Sequence, residues 1–252
     1  MGLPSSTERS SMILAKLKNL SLKRERDNGF ALVIKSLILC HGEYVAITGP
    51  SGCGKSTSLD LLGMILKPDS IGSFEYGFSD TLTDVGALWR QNRHDDLAAL
   101  RKLHIGYVLQ TGELLPFLNL RENIELTASL ACRNNFSERV SGLMDSLNIA
   151  HLARSMPNEI SVGERQRAAI ARALAHSPKL LLADEPTAAL DPALSRTVMK
   201  LFLAAARITD TTIVMVSHDV NLVHEFNFRE IKVALEPGDN SMMSVVDDGL
   251  AE

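Results

Sequence analysis

The chain has 252 residues, of which 45% are hydrophobic and 22% are charged, and its formal net charge is -4 at pH 7. This composition is typical of a globular chain with one substantial core, and the charge gives no reason to propose a nucleic-acid surface. Three widely spaced cysteines, Cys40, Cys53 and Cys132, lack metal-ligand spacing and favour a reduced, cytosolic setting. No apolar run approaches the roughly 20 residues that span a bilayer. Residues 1–11, which we expect to be disordered, lack the apolar segment of a signal peptide.

The first motif along the chain fits the phosphate-binding loop pattern G-x-x-x-x-G-K-[ST] at every fixed position. A short apolar, β-branched run at 44–48 precedes it, and the pattern at 55–66 predicts a helix that stops before Pro68. The positive end of that helix would therefore point at the phosphates. Lys55 places a positive charge on the outer phosphates, and the Ser56 hydroxyl can bind Mg²⁺. The motif predicts a nucleoside-triphosphate site formed by Gly49, Pro50, Ser51, Gly52, Cys53, Gly54, Lys55 and Ser56.

Strand-length apolar runs recur downstream at 180–183 and 212–216, and helical patterns follow them. Strands that alternate with helices predict an α/β fold with a mainly parallel core sheet. Between about 87 and 160 the signals change to helix starts, notably Asn119 with Glu122, which predicts an inserted α-helical subdomain. We therefore expect one nucleotide-binding domain at 12–236 and a C-terminal tail at 237–252.

A pair of carboxylates, Asp184 and Glu185, comes directly after the apolar run at 180–183. Taken alone, such a pair is more often a solvated strand end. Together with the loop at Lys55 it indicates phosphate chemistry, because one carboxylate can hold Mg²⁺ through water while the other points toward a water that attacks the γ-phosphate. We assign the first role to Asp184 and the second to Glu185.

A capping-box pattern, Ser161 with Glu164, opens a helix that carries several arginines and ends near Pro178. On local grounds this is a well-capped surface helix. The alternative is a second phosphate cradle, because Ser161, Gly163 and the helix start supply a hydroxyl, an uncovered backbone N–H and a positive dipole end. A site already built around Lys55 needs such a cradle only if the two belong to different molecules.

Taken in order, these motifs resemble those of ATP-binding-cassette (ABC) ATPases, the motor subunits of membrane transport complexes, over about residues 15–236. The family signature corresponds to 160–164, the glutamine loop to Gln110, the aspartate loop to 189–191 and the switch histidine to His218. Three further segments look most like the lipoprotein-releasing and macrolide-exporter branch of the family: 114–116, 121–123 and 164–167.

The resemblance implies a P-loop, ABC-type nucleotide-binding domain that binds ATP and Mg²⁺ in a head-to-tail homodimer, in which each signature faces the phosphate loop of the other copy. ATP contacts both copies only in the closed dimer, so its binding shifts the population toward closure. The resemblance also implies catalytic roles for Glu185, His218 and Gln110, with Gln110 sensing Mg²⁺ or water and His218 hydrogen-bonded to the γ-phosphate. The implied metal ligands are Ser56, Gln110 and Asp184. The resemblance extends the phosphate loop to Thr57 and implies further nucleotide contacts at Ser161, Gly163 and Asp191.

The same resemblance implies an integral-membrane permease as partner, with the chain peripheral on the cytoplasmic face of the inner (plasma) membrane. We expect the permease contact at the apolar cluster 115–118, for which the alternative is the core of the helical subdomain. The competing function is a regulatory ATPase of the division-associated type, which signals through a membrane partner without moving cargo. DNA-repair and translation ATPases of this superfamily need a long coiled-coil insertion or a second cassette, and neither fits this chain.

The sequence departs from the family pattern in three ways. Val162 takes the place of the first of two adjacent glycines in the signature, and we expect slower turnover because valine restricts the local backbone. No clear aromatic residue stands near 23–28 to stack on adenine, and Phe30 is the nearest candidate. Glu164 replaces the commoner glutamine, a change that the branch often shows and that suits the first turn of a helix.

Overall fold

The computed structural model describes residues 13–24, 30–131, 136–237 and 242–249. The start at 1–11, predicted to be disordered, lies outside the described residues. The strands, in chain order, are β1 (Ile13–Arg24), β2 (Phe30–Cys40), β3 (Tyr44–Thr48), β4 (Ser70–Tyr76), β5 (Thr83–Asp84), β6 (Ile105–Val108), β7 (Leu180–Asp184), β8 (Thr212–Val216), β9 (Arg229–Lys232), β10 (Ala234–Pro237) and β11 (Met242–Asp247). The helices are α1 (Lys55–Leu62), α2 (Val85–Arg90), α3 (His94–His104), α4 (Leu120–Leu130), α5 (Phe136–Ser146), α6 (Val162–Leu174), α7 (Pro192–Ile208) and α8 (Val220–Glu225), with 3₁₀ turns at Ala150–Leu152 and Pro157–Glu159.

Two compact units make up the chain, one formed by residues 1–101 with 216–252 and the other by 102–215. The three apolar runs that the sequence predicted as strands are β3, β7 and β8, and the α/β class is confirmed. None of the described helices combines the length and the apolar character that a membrane span requires.

A six-stranded sheet in the first unit is the main feature that the sequence did not predict. Its strand order is β10-β11-β2-β1-β4-β5. β1 is antiparallel to both β2 and β4, whereas β11 is parallel to β2. Within β2, Leu32 and Ile34 are buried while Lys35 is exposed, as expected for a strand with only one face in a core. The fold therefore contains a mixed sheet in addition to the predicted parallel strands.

The helix that follows the phosphate loop is shorter than predicted and is anchored at its end. β3 pairs in parallel with β9, and α1 begins after the loop and ends at Leu62, not at Leu66. Gly63 is the C-cap, and Met64 takes a left-handed φ of 55°, which stops the helix. The buried Tyr76 hydroxyl of β4 donates to the Leu62 backbone oxygen at 2.5 Å, and burial raises the pKa of this hydroxyl. α1 is therefore held on the first unit at the end opposite the phosphate loop.

The predicted C-terminal tail at 237–252 contains a strand. β11 pairs in parallel with β2 and antiparallel with β10. Just beyond β11, the buried carboxylate of Asp248 accepts a hydrogen bond from the Ile38 backbone N–H at 2.5 Å. The interpretation as a tail is therefore corrected for 242–249. The sequence at 238–241 is polar and typical of a turn, and the apolar run that follows it is short. For this reason the sequence pattern did not predict the strand.

The second unit contains a parallel strand inside the stretch predicted as a helical subdomain. β6 and β7 are parallel, and β8 follows in the strand order. β6 interrupts the predicted subdomain at 87–160, because a strand of four residues is too short to show a clear period. The capped helix start at Asn119 is confirmed, since Asn119 and Glu122 form both hydrogen bonds of a capping box. α4 and α7 pack against α6.

The packing of β6 on α6 depends on Gly106. A Cβ atom on this residue would run into the backbone oxygen of Ala173 and would lie 2.8 Å from Leu181 Cδ1. Because a backbone oxygen cannot swing aside, we expect Gly106→Ala to lower the free energy of unfolding by about 1–3 kcal/mol. The control is Gly142→Ala in α5, where nothing lies within 4 Å of the Cβ position, and we expect it to raise the free energy of unfolding by up to about 1 kcal/mol. Urea unfolding measures both variants, and equal values would contradict this packing.

Candidate functional site

The phosphate loop, residues 49–57, connects β3 to α1 as predicted. Gly52 and Gly54 have φ angles of +76° and +85°, a left-handed conformation that favours glycine. Gly54 is the N-cap of α1, so this position has no side chain to cap the first turn, and no acidic residue lies in that turn. Such a helix start presents backbone N–H groups and a positive dipole end, which suit a phosphate. Four residues of the loop are exposed: Pro50, Ser51, Gly52 and Ser56.

The ammonium group of Lys55 lies against the backbone of the phosphate loop. Its side chain is 7% exposed, and its ammonium group donates to the backbone oxygens of Gly49 at 3.0 Å and Pro50 at 2.8 Å. Both acceptors are neutral, and a phosphate oxygen is a stronger partner for an ammonium group because the bond is then charge-assisted on both sides. The lysine can therefore exchange these oxygens for a phosphate without leaving the loop.

Two side chains pack closely on the loop glycines. Phe30, the candidate for adenine stacking, lies against Gly54, with its Cζ atom 2.6 Å from the position that a Gly54 Cβ would take. The buried Cys53 has its Sγ atom 3.0 Å from the Cβ position of Gly49. A side chain at either glycine would therefore collide with Phe30 or Cys53 and displace the loop.

His218 lies in the same unit as the phosphate loop, in a segment that is fixed on both sides. The Ser217 backbone N–H donates to the Ile47 oxygen of β3 at 3.2 Å, so this segment runs beside the strand that leads into the loop. The Ser217 hydroxyl accepts from the Asp219 N–H at 3.0 Å, and the Asp219 carboxylate caps α8 by accepting from the Leu222 N–H at 3.0 Å. The His218 side chain itself is exposed.

Three predicted residues of the second unit lie at neighbouring strand ends. β6 and β7 are parallel, and Val108 pairs with Ala183. Gln110 follows shortly after β6, while Asp184 is the last residue of β7 and Glu185 comes next. The carboxyl ends of adjacent parallel strands share one edge, where ligands of α/β folds commonly bind. The structure therefore brings the predicted glutamine and both predicted carboxylates to the same edge.

Glu185 has a strained backbone. Its φ is +45°, in the left-handed region that residues other than glycine rarely adopt, at a cost of about 1–3 kcal/mol. Its carbonyl oxygen accepts from the Ala188 N–H at 3.1 Å, in the turn that leads to Asp191. The Asp191 carboxylate then accepts from the Ala193 and Leu194 N–H groups, both at 3.0 Å, and caps α7. Strain of this kind is found at functional sites and also at helix ends such as Met64, so the assignment of Glu185 stays a prediction.

The signature segment forms a complete capping box at the start of α6. The Ser161 N–H and hydroxyl donate to Glu164 Oε2 at 2.8 Å and 2.7 Å, and the Glu164 N–H donates to Ser161 Oγ at 3.3 Å. The hydrogen bond from the Ser161 side chain, and then the one from its backbone, lowers the pKa of Glu164. The Ser161 hydroxyl is therefore engaged within its own helix, and a phosphate would have to compete with the Glu164 carboxylate for it.

Two neighbouring residues of the signature, Val162 and Gly163, differ in exposure and in packing. Val162 is the first residue of α6, is 45% exposed and does not have a positive φ, so valine costs little there. Gly163 is buried, and a Cβ on it would lie 2.9 Å from Leu194 Cδ2. This glycine lets the start of α6 approach the start of α7, so that Ser161 and Asp191 lie on adjacent helix starts.

Two polar residues to which the sequence assigned no role of their own, Asn123 and Arg172, shape the loop after Gln110. Asn123 is fully buried and makes four hydrogen bonds with backbone groups of residues 115–119. Arg172 donates to two backbone oxygens at 112–113. The branch similarity at 121–123 included Asn123 but did not indicate what its side chain contacts. Asn123 and Arg172 both bind backbone atoms, and such contacts leave no pattern of side-chain types in the sequence.

Comparison with known proteins defines the class. A family model described as ABC transporter matches residues 34–188. The lipoprotein-releasing system ATP-binding protein LolD 1 of Rhodopirellula baltica is 40% identical over 197 residues, 77% of this chain and 82% of that protein. The macrolide export ATP-binding/permease protein MacB of Rhodopseudomonas palustris is 37% identical over 207 residues, 80% of this chain and 30% of that protein.

A solved structure agrees with these relatives. The dimeric, post-hydrolysis structure of the ATP-binding cassette MJ0796 of Methanocaldococcus jannaschii, bound to ADP and Pi, has a TM-score of 0.68 and 32% identity, covering 87% of this chain and 93% of that one. Fold and site together thus define an ABC-type ATPase cassette. The chain belongs to the ABC transporter family, and the predicted similarity to its lipoprotein-releasing and macrolide-exporter branch is confirmed.

The Ser161–Glu164 contact generates a prediction about acid titration. Ser161→Ala removes the hydroxyl that donates to the carboxylate, so we expect the pKa of Glu164 to rise toward its ordinary value. Carboxyl-detected NMR titration measures this pKa. A lowered pKa stabilises the fold above the unfolded-state pKa, and that contribution is lost as the pH falls through the folded-state value. The variant should therefore lose less stability in acid than the parent chain.

The control for this titration is Ser129→Ala on α4, whose hydroxyl donates to the Leu126 backbone oxygen. It should leave the Glu164 titration unchanged. A Glu164 pKa that stays equally low in Ser161→Ala would contradict the assignment of the shift to the Ser161 hydroxyl.

Proposed function

We propose that this chain binds and hydrolyses ATP as the motor subunit of an ABC transport complex and drives a separate integral-membrane permease. The observation that carries this function is the start of α1, where a glycine N-cap leaves the first turn without a capping side chain. Lys55 adds a positive charge that is held on the same loop. Together they form a binding site for a triphosphate, and family membership identifies it as ATP.

Mg²⁺ fits the oxygen donors that the sequence predicted. The hydroxyl of Ser56, the carboxylate of Asp184 and the side-chain oxygen of Gln110 would hold it together with the phosphates. Within the described part of the chain, no group of three or more His, Cys, Asp or Glu residues is placed to hold a metal. Magnesium usually needs no such cage, because it binds through one or two carboxylates and substrate phosphates. When bound, the ion neutralises charge that develops on the phosphates.

Glu185 is the residue that orients the attacking water. Its left-handed backbone, next to the end of β7, sets the direction of a carboxylate that must accept a hydrogen bond from that water. His218 donates a hydrogen bond to the γ-phosphate, and the bonds of Ser217 and Asp219 hold its backbone in place for this contact. Gln110, at the edge shared with Asp184, senses the metal or the water.

Two copies of the chain complete each other's sites in a head-to-tail dimer. Ser161 and Asp191 lie on adjacent helix starts because Gly163 packs closely on Leu194, so both can face one partner surface. To contact the phosphate that the other copy binds, the Ser161 hydroxyl exchanges the Glu164 carboxylate for a phosphate oxygen. The cassette MJ0796, which is dimeric with ADP and Pi bound, supports the formation of a dimer.

The permease docks at the apolar cluster 115–118, on the cytoplasmic face of the inner membrane. Phe117 is 71% exposed, which favours docking over the alternative of a buried core. The four hydrogen bonds of the buried Asn123 hold this cluster in one conformation, so the aromatic ring is presented with little entropic cost of ordering. MacB, whose name joins an ATP-binding part to a permease, supports this kind of partner.

Hydrolysis is tested with Glu185→Gln, which keeps the shape of the side chain and removes its charge. We expect the rate of phosphate release to fall by about 10²- to 10⁴-fold, because the attacking water loses its acceptor. Titration with a fluorescent ATP analogue should show unchanged binding, since Lys55 and the phosphate loop are intact. Glu138→Gln, on the exposed face of α5, is the matched control and should hydrolyse ATP at the parent rate. Full turnover in Glu185→Gln would remove Glu185 from the mechanism.

The docking surface is tested with Phe117→Asp. Tagged chain purified from detergent-solubilised membranes should retain a polytopic membrane protein, and the variant should lose it because a carboxylate cannot enter an apolar contact. Ile208→Asp at the end of α7 is the control, since Ile208 is 72% exposed and equally apolar but lies outside the cluster. Retention of the partner by Phe117→Asp, or equal loss in both variants, would argue against docking at 115–118.

A further inference from the structure

Arg172, on the last turn of the signature helix α6, reaches back to the loop that carries Gln110. Its side chain is half-buried. The guanidinium donates to the backbone oxygen of Gly112 at 3.1 Å and to that of Glu113 at 2.9 Å. A planar guanidinium can hold two such acceptors at once in a fixed geometry, which a single ammonium group cannot do. The arginine therefore fixes the orientation of two consecutive peptide groups.

These peptide groups directly follow the turn in which Gln110 sits. The Gly112 N–H donates to the Leu109 oxygen at 3.0 Å, which makes Gln110 one of the two central residues of a hydrogen-bonded turn. Gly112 and Glu113 both have positive φ angles, +73° and +36°. Left-handed backbone at a glutamate is costly and persists only where the surroundings enforce it. The two bonds from Arg172 are such an enforcing contact.

The same turn is seated on α6. A Cβ on Gly112 would lie 3.6 Å from the Ala169 Cβ and 3.7 Å from the Arg165 backbone oxygen, so the loop runs along the helix in van der Waals contact. Burial lowers the pKa of the Arg172 guanidinium, and the Glu113 carboxylate opposes this effect. Contact, hydrogen bonds and charge thus all connect the turn with the helix whose other end begins at Ser161.

We propose that Arg172 is a positioning residue for Gln110, and that through it the glutamine turn and the signature helix move as one body. The proposal rests on the proposed function, because the activity of Gln110 is what Arg172 supports. Loss of the guanidinium frees the left-handed turn to relax, and Gln110 then samples positions away from the metal and water. The phosphate loop and Lys55 do not contact this turn's arginine, so we expect loss of the guanidinium to change nucleotide binding much less than hydrolysis.

The test is a double-mutant cycle on ATP hydrolysis with Arg172→Met, Gln110→Ala and the double variant. We expect Arg172→Met to lower kcat about tenfold, within the range of couplings between contacting residues, and to leave KM for ATP within about twofold of the parent value. In the Gln110→Ala background the same substitution should have no further effect on kcat. An unchanged kcat in Arg172→Met, or an equal loss in both backgrounds, would overturn the proposal.

Two further variants separate positioning from folding. Arg172→Lys keeps the charge but holds only one oxygen firmly, so its kcat should fall between those of the parent and Arg172→Met. Arg139→Met is the control, since Arg139 also donates to a backbone oxygen of this region, that of Ala175, without touching the glutamine turn. It should keep the parent kcat, and a tenfold loss there would assign the effect to the helical packing. Absence of hydrolysis in the parent chain would instead refute the proposed function.

Discussion

The start of α1 sets the requirement that the rest of the site must meet. A helix leaves backbone N–H groups without intrahelical partners at its start, and these groups need acceptors. α4, α6 and α7 satisfy theirs with side chains of Asn119, Ser161 and Asp191, whereas α1 begins at Gly54 and has no such side chain at its N-cap. In the proposed function, a phosphate supplies the missing acceptors and matches the positive end of the helix dipole.

In the proposed dimer, the capped start of α6 allows one segment to be a stable helix and still contact a nucleotide. Ser161 and Glu164 satisfy each other within the chain, so the signature does not depend on a ligand to fold. The hydroxyl is exposed and can rotate from a carboxylate to a phosphate, which offers an acceptor of the same sign. The signature can therefore join and leave a composite site without unfolding, as a cycle of closure and release requires.

The sequence predicted the elements whose interactions lie between residues close together in the chain. The phosphate loop, the strands predicted at 44–48 and 180–183 and the capped helix starts at Asn119 and Ser161 all depend on neighbours within a few residues, and each forms as expected. The sequence did not predict features that depend on partners far away along the chain. β11 is a strand because it pairs with β2, and Arg172 matters because backbone oxygens at 112–113 lie beside α6. Such contacts arise from the fold and leave no local period.

The central claim is that Ser161 of one copy completes the phosphate site of another, and sedimentation equilibrium of Glu185→Gln with ATP and Mg²⁺ tests it most directly. We expect the chain to have its single-copy mass of 27.5 kDa without nucleotide and twice that mass with it. Adding Ser161→Glu should abolish the increase while ATP still binds, because a second negative charge faces the phosphate. A chain that stays single with ATP bound, or a dimer that forms equally well with Ser161→Glu, would contradict the claim.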